Sequence, residues 1–188
     1  MITNTPVFST ALTDAYQIFK ATDTGATGGT AERRAVTTII LCNTGSVTLT
    51  DETINQSTVN IYIVDSSKTG YTTPGTYNLV ASNLIIPAGE TFFFSEERVV
   101  LDNNDSIHVS CTSGGTITAG SFVAGANYKI LTLGTTTNWN TVAATSTQRS
   151  WGGGSASVGD TFTATAAGSG DGTAILCLLT ATVSSLEV

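Results

Sequence analysis

The chain is short of the residues that carry most enzyme chemistry. Its 188 residues include one histidine, three cysteines, one methionine and only seven lysines and arginines. With a single imidazole, any Ser-His-Asp triad would have to use His108, and no G-x-S-x-G elbow supplies a serine for it. Tetrahedral zinc takes about four closely spaced Cys or His ligands, whereas Cys42, Cys111 and Cys177 stand far apart with no C-x-x-C pair. Each lies in an apolar run (IILC, IHVSC, ILCLL), so they read as buried free thiols, or as one disulfide with a thiol left over. Seven basic against fourteen acidic residues leave a net charge of -7. That is the wrong sign for gripping nucleic acid or an anionic membrane. Apolar runs such as Ile175 to Leu179 fall far below the ~20 residues of a membrane helix. The start, MITNTPVFSTALTD, shows neither the basic nor the apolar region of a signal peptide.

What remains is a folded, β-rich composition. Charged residues are 11% of the chain and hydrophobic residues 40%, whereas disorder needs low hydrophobicity with high net charge. Threonine alone supplies about a fifth, and β-branched residues favour strands. Short strand-like runs recur between turn residues: 14–21, 34–42, 58–64, 83–86, 91–95, 99–101, 106–111, 128–133, 161–166 and 175–188. No stretch holds a 3.6-residue period, so helices should be short or absent. The pattern predicts an all-β fold, an antiparallel β-sandwich of jelly-roll type with a small inserted or appended β module.

The polar groups give no constellation. Asp51-Glu52 and Glu96-Glu97 are adjacent pairs whose side chains point apart on a strand. Asp102 and Asp105 bracket Asn103-Asn104 and read as the turn of a hairpin joining 99–101 to 106–111, with calcium as the alternative. The GSGDG segment, Gly168 to Gly172, has neither a calcium-repeat spacing nor a P-loop ending. His108 and Ser110 share one strand face opposite Ile107, Val109 and Cys111, which predicts an exposed or interface histidine. These readings predict no enzyme, no cofactor and no metal.

Several runs are apolar on consecutive positions, so both strand faces must be covered, and contiguous apolar patches mark contact sites. Phe92, Phe93, Phe94, Ile61 and Ile63 are the candidate assembly interface. Residues 121–174 form a Gly/Thr-rich region holding both tryptophans. Trp139 and Trp151 read either as module core or as ligand contacts, with Tyr128 and Asn138 beside them.

That region resembles a small β module of tailed-bacteriophage structural proteins. Phe122, Gly125, Tyr128 and Ile130 match its F-x-x-G-x-x-Y-x-I opening. Gly134, Thr135, Thr136 and Trp139 follow, then Val158 to Asp160, and Phe162, Ala164, Thr165, Gly168, Gly170, Gly172 and Ala174 complete it, with TSTQRSWGGGS inserted between the halves. Residues 1–117 resemble a second phage virion domain through Thr13, Tyr16, Ile18, Ala21, Asn43-Thr44, Ile86 to Gly89, Val99 to Leu101 and Asp105 to Val109. That domain closes with V-x-x-L-E-V, found here at Val183 to Val188. The resemblance implies a virion structural protein, a capsid decoration, tail or fibre-associated component made in the host cytoplasm. Its partners would be copies of itself and other virion proteins. A carbohydrate-binding or host-adhesion module, meeting a host-surface glycan through the aromatics of 121–174, is the alternative. The late closing strand predicts a domain of 1–117 plus 175–188, with a module of 118–174 inserted. It also requires 175–188 to pair antiparallel with 106–111.

Overall fold

The computed structural model describes residues 1–21, 33–45, 55–95, 99–112, 114–144 and 149–188. The chain divides into two compact units, Met1–Thr112 with Leu179–Val188, and Ser113–Leu178. The first unit is therefore discontinuous, and its boundaries fall a few residues from 117 and 175 on either side.

Unit 1 is an antiparallel β-sandwich. One sheet is ordered β1 (Ile2–Val7), β13 (Leu179–Glu187), β3 (Arg34–Asn43), β6 (Thr91–Phe94), and β7 (Val99–Leu101) also pairs with β3. The other is ordered β2 (Tyr16–Lys20), β8 (Ser106–Cys111), β4 (Ser57–Val64), β5 (Leu79–Ile86). Strands β3 and β4 carry long β-branched stretches, VTTII and TVNIYIV, which suit a pleated, half-buried surface. Their inward residues meet in one core: Val36, Ile39 and Leu41 of β3, Val59 and Ile61 of β4, Ile107 and Val109 of β8, and Leu179, Ala181 and Val183 of β13. Two buried polar side chains tie loops to this core. Asn43 Nδ2 donates to Asn55 O at 2.8 Å and Ile86 O at 2.9 Å, while its Oδ1 accepts from Gly45 N at 2.8 Å. Ser9 Oγ accepts from Cys111 N at 2.8 Å. Both groups would be costly to bury unpaired.

Two expectations are corrected. Strand β13 does not pair with β8. It lies between β1 and β3, in register from Leu179 opposite Asn43 to Glu187 opposite Arg34. Strand β8 already has β2 and β4 as neighbours. Nor do 99–101 and 106–111 form a hairpin: β7 pairs in one sheet and β8 in the other. The Asp/Asn segment is a tight turn, but it carries the chain across the sandwich. Asp105 Oδ2 accepts from Asp102 N at 3.0 Å, and Asn104 sits at φ 74°. Ala21 fastens this corner through Asn104 N→Ala21 O at 2.7 Å and Ala21 N→Asp105 O at 2.9 Å.

Unit 2 has its own four-stranded sheet, ordered β11 (Thr161–Thr163), β10 (Asn127–Thr132), β12 (Thr173–Cys177), β9 (Thr116–Thr118), and one helical turn, α1 (Trp139–Val142). The apolar run 175–179 is thus shared by two strands, β12 ending at Cys177 and β13 starting at Leu179. Phe122, Tyr128, Ile130, Trp139 and Phe162 form the centre of a separate core. The three large residues of the F-x-x-G-x-x-Y-x-I pattern, Phe122, Tyr128 and Ile130, are therefore packing residues.

An insertion at such a position costs little closure entropy, ~0.6 kcal/mol per doubling of loop length. Replacing residues 113–178 by a short Gly-Ser linker is expected to leave a β-rich protein with one cooperative melt, read by circular dichroism. A non-cooperative melt would show that unit 1 does not fold by itself.

Candidate functional site

In a strand, alternate side chains leave opposite faces, so the register identifies what the first sheet of unit 1 turns away from its core. One outward row is Asn4, Thr182, Ile40 and Phe93; the next are Ile2, Ser184 and Thr38, and Pro6, Thr180, Cys42 and Thr91. Past an irregularity in the pairing of β3 with β13, the outward row becomes Leu186, Ala35 and Val100. No Asp, Glu, Lys or Arg stands on this face among the described residues. Ile2, Phe93, Val100 and Leu186 are all exposed on it, Phe93 by 61%.

The five candidate interface residues are separated by the same alternation. Phe93 is on the outward face. Phe92 and Phe94 turn inward and pack against the core, as does Ile63, and Ile61 is fully buried. Consecutive apolar residues here do cover two faces, but only one of the three phenylalanines is available to a partner. Ile2, Val100 and Leu186 were missed. At Leu186 hydropathy points the wrong way, because Ser185 is the buried neighbour, its Oγ without a hydrogen-bond partner.

The tryptophans of unit 2 are committed to packing. Trp139 is only 6% exposed, packs on Phe162, and donates its indole N–H to Leu133 O at 3.0 Å. Trp151 is half-buried with its ring edge-on to Phe162, its N–H on Asn140 Oδ1 at 2.9 Å, and the Arg149 guanidinium 5.4 Å from its ring centre. Tyr128 is buried and holds Val123 N through its hydroxyl at 3.0 Å, while Asn138 caps α1 by accepting from Asn140 N at 3.1 Å. Trp139 does border an open cleft of about 390 Å³ lined by the 133–140 loop. That loop is shaped by Asp171, whose carboxylate accepts backbone and hydroxyl hydrogens from Thr135 and Thr136 at 2.8–2.9 Å. Those bonds, to the Thr136 backbone first, hold its pKa far below the usual carboxylate range. Gly134 has φ +68°, and a Cβ there would stand 2.5 Å from Gly172 N, so the turn demands glycine. The GSGDG segment is a clasp for this loop.

No reactive cluster forms among the described residues. None of the groupings of His, Cys, Asp and Glu there could hold a metal ion. Cys42, Cys111 and Cys177 are free thiols, so the disulfide alternative is closed. Burial pushes Cys111 up to about 11, leaving an inert thiol at neutral pH. His108 is half-buried on the outward face of the second sheet. Its Nε2 lies 3.0 Å from Ser106 Oγ, and its Nδ1 is enclosed without a partner. Among the described residues no acid orients that ring, as a triad requires. The pairs Asp51-Glu52 and Glu96-Glu97 lie outside the described residues.

Two substitutions separate core from face. Ile61→Ala is expected to cost about 2–5 kcal/mol in urea unfolding, whereas Phe93→Ala should change stability by no more than about 0.5 kcal/mol. His108 carries the pH dependence to be checked. Burial lowers its folded pKa, so the unfolded chain binds the proton first and stability falls as pH drops below about 6.5. His108→Gln should flatten that part of the profile between about pH 7 and pH 5, measured as urea midpoint against pH. Compared with known proteins, the chain matches no family model, no curated protein and no solved structure.

Proposed function

We propose that the chain is a non-enzymatic structural component of a tailed-bacteriophage virion, working by assembly with copies of itself and with other virion proteins. The observation that carries the assembly role is the uncharged outward face of the five-stranded sheet. A lone exposed apolar residue is ordinary, but a whole sheet face without a formal charge is not. Depletion of charge with aromatic enrichment is what distinguishes the centre of a protein interface. Phe93 sits among hydroxyl and amide side chains in that setting, with Ile40 beside it and Val100 and Leu186 flanking Ala35.

The inverted pattern at the end of β13 supports the same reading. Placing Ser185 inside and Leu186 outside forfeits apolar burial in the isolated chain, and a partner over Leu186 recovers it. The virion setting rests on the sequence resemblances of both units. The glycan reading through Trp139 and Trp151 is not favoured, because both indole N–H groups are already used and Trp139 is enclosed.

Sedimentation velocity tests the face. The purified chain is expected to self-associate as its concentration rises from micromolar to millimolar, and Phe93→Lys with Leu186→Lys should return it to a monomer with an unchanged melt. A chain that stays monomeric throughout, or associates equally well with both lysines in place, overturns self-assembly through this face.

A further inference from the structure

The second sheet of unit 1 also has an outward face, and it is built differently. Strands β4 and β8 turn Asn60, Tyr62, His108 and Ser110 away from the core. Over Asn60 and Tyr62 lies a cleft of about 320 Å³, walled by residues of the 12–15 segment and of the 74–79 segment. This volume is at the lower end of the ~300–1,000 Å³ of small-molecule sites. Among the described residues no carboxylate, amine or guanidinium lines it.

Its polar groups are unevenly satisfied. The Tyr62 hydroxyl is saturated: it takes Asn60 Nδ2 at 3.2 Å, meets Ser110 Oγ at 3.3 Å and donates to Leu12 O at 3.4 Å. Asn60 is almost wholly buried, and its Oδ1 accepts from Asn83 N at 2.8 Å. An amide nitrogen carries two hydrogens, and Asn60 spends only one, on Tyr62. The hydroxyls of Thr13 and Thr76, both lining the cleft, make no hydrogen bond among the described residues.

The segment that walls one side of the cleft also carries exposed aromatic surface. Tyr77, which follows the lining Thr76, is 81% exposed, and its ring centre is 5.8 Å from that of Tyr71. Lys68 Nζ stands 4.2 Å over Tyr71. The segment is held in shape by the buried Asn78: its Oδ1 accepts from Gly75 N at 2.7 Å, and its Nδ2 donates to Thr73 O at 2.8 Å and Tyr71 O at 3.2 Å. An exposed aromatic on a loop ordered in advance gives contact area at low entropic cost.

We infer that this cleft, with Asn60 and the Tyr62 ring at its floor, Thr13 and Thr76 on its walls and Tyr77 next to Thr76 in the wall segment, binds a neutral saccharide. The absence of ionisable lining groups other than the Tyr62 phenol disfavours phosphates, carboxylates and amines. Spare amide and hydroxyl groups next to apolar carbon and an aromatic ring match a molecule with hydroxyls on its rim and C–H groups on its faces. An extended peptide would instead seek a sheet edge or a longer groove. The inference is independent of the assembly face, which belongs to the other sheet.

The test is an NMR titration of the full chain, isotopically labelled, with maltotriose, with the N-acetylglucosamine trimer, and with anionic trigalacturonate as control. With a neutral trisaccharide, the Asn60 side-chain amide and the Thr76 backbone amide should shift in a saturable way, and trigalacturonate should have little effect. Tyr77→Ala should weaken binding about tenfold without disturbing the folded spectrum. Thr76→Val, also at an exposed site, should weaken it as well. Three results overturn the inference: no shift at these signals with either neutral sugar, shifts confined to the Trp151 and Asn140 region, or binding that both variants leave intact. Equal binding of trigalacturonate overturns the neutral class.

Discussion

The first sheet of unit 1 is held together by β13. It bonds to β1 on one side and to β3 on the other along nearly its whole length. Without it β1 has no partner in the sheet, and β3 keeps only the short β6 and β7. Leu179, Ala181 and Val183 also belong to the sandwich core, so the same strand closes both the hydrogen-bonding ladder and the hydrophobic layer. The pairing of β1 with β13 joins residues nearly the full chain apart. Contacts so distant in sequence slow folding, and closing the sandwich depends on bridging the whole of unit 2, which lies in the sequence between β8 and β13.

That dependence explains why unit 2 has its own core. A long insertion without internal packing would add unfolded chain to the closure of the sandwich. Phe122, Tyr128, Trp139 and Phe162 instead pack mutually, with ring centres 5.0–5.8 Å apart, a spacing that favours offset and edge-on aromatic pairs. Strand β9 pairs with β12 at the two ends of the insert. The module thereby brings its own entry and exit together, and the closure entropy of β13 is reduced to that of a short connection.

Much of this was legible in the sequence, and the misreadings have physical causes. Strand positions followed from β-branched runs and turn residues, because those are local preferences. Pairing partners did not follow: nothing local distinguishes a hairpin at Asp102 to Asp105 from a crossing between sheets, since the same turn chemistry serves both. The outward face was half legible. A run such as Phe92-Phe93-Phe94 announces two covered faces, but which phenylalanine faces outward is fixed by pairing with Ile39, Ile40 and Leu41. At Ser185 and Leu186 hydropathy is inverted, so no pattern reading could place them. Trp139 and Trp151 were ambiguous because a small module needs large rings for packing as much as a binding surface needs them for contact. Tyr71 and Tyr77 carry no strand signal in the sequence; their placement comes from the fold of Asn78 onto the 71–75 backbone.

A sheet face without charge must still be wetted by solvent, and threonine supplies the means. Its branched Cβ suits the strand, and its hydroxyl keeps the surface wet without the strong desolvation cost of an ion. On the first sheet, Thr38, Thr91, Thr180 and Thr182 surround the apolar anchors Ile40 and Phe93 in this way. A standard interface buries ~800 Å² on each partner, about 20–30 residues a side, and these outward rows supply fewer positions than that. One such contact alone is therefore weak. Repeated over many identical neighbours, weak contacts add through effective concentration. On the proposed reading, a surface of this kind suits a protein that is dispersed when dilute and associates as its local concentration rises.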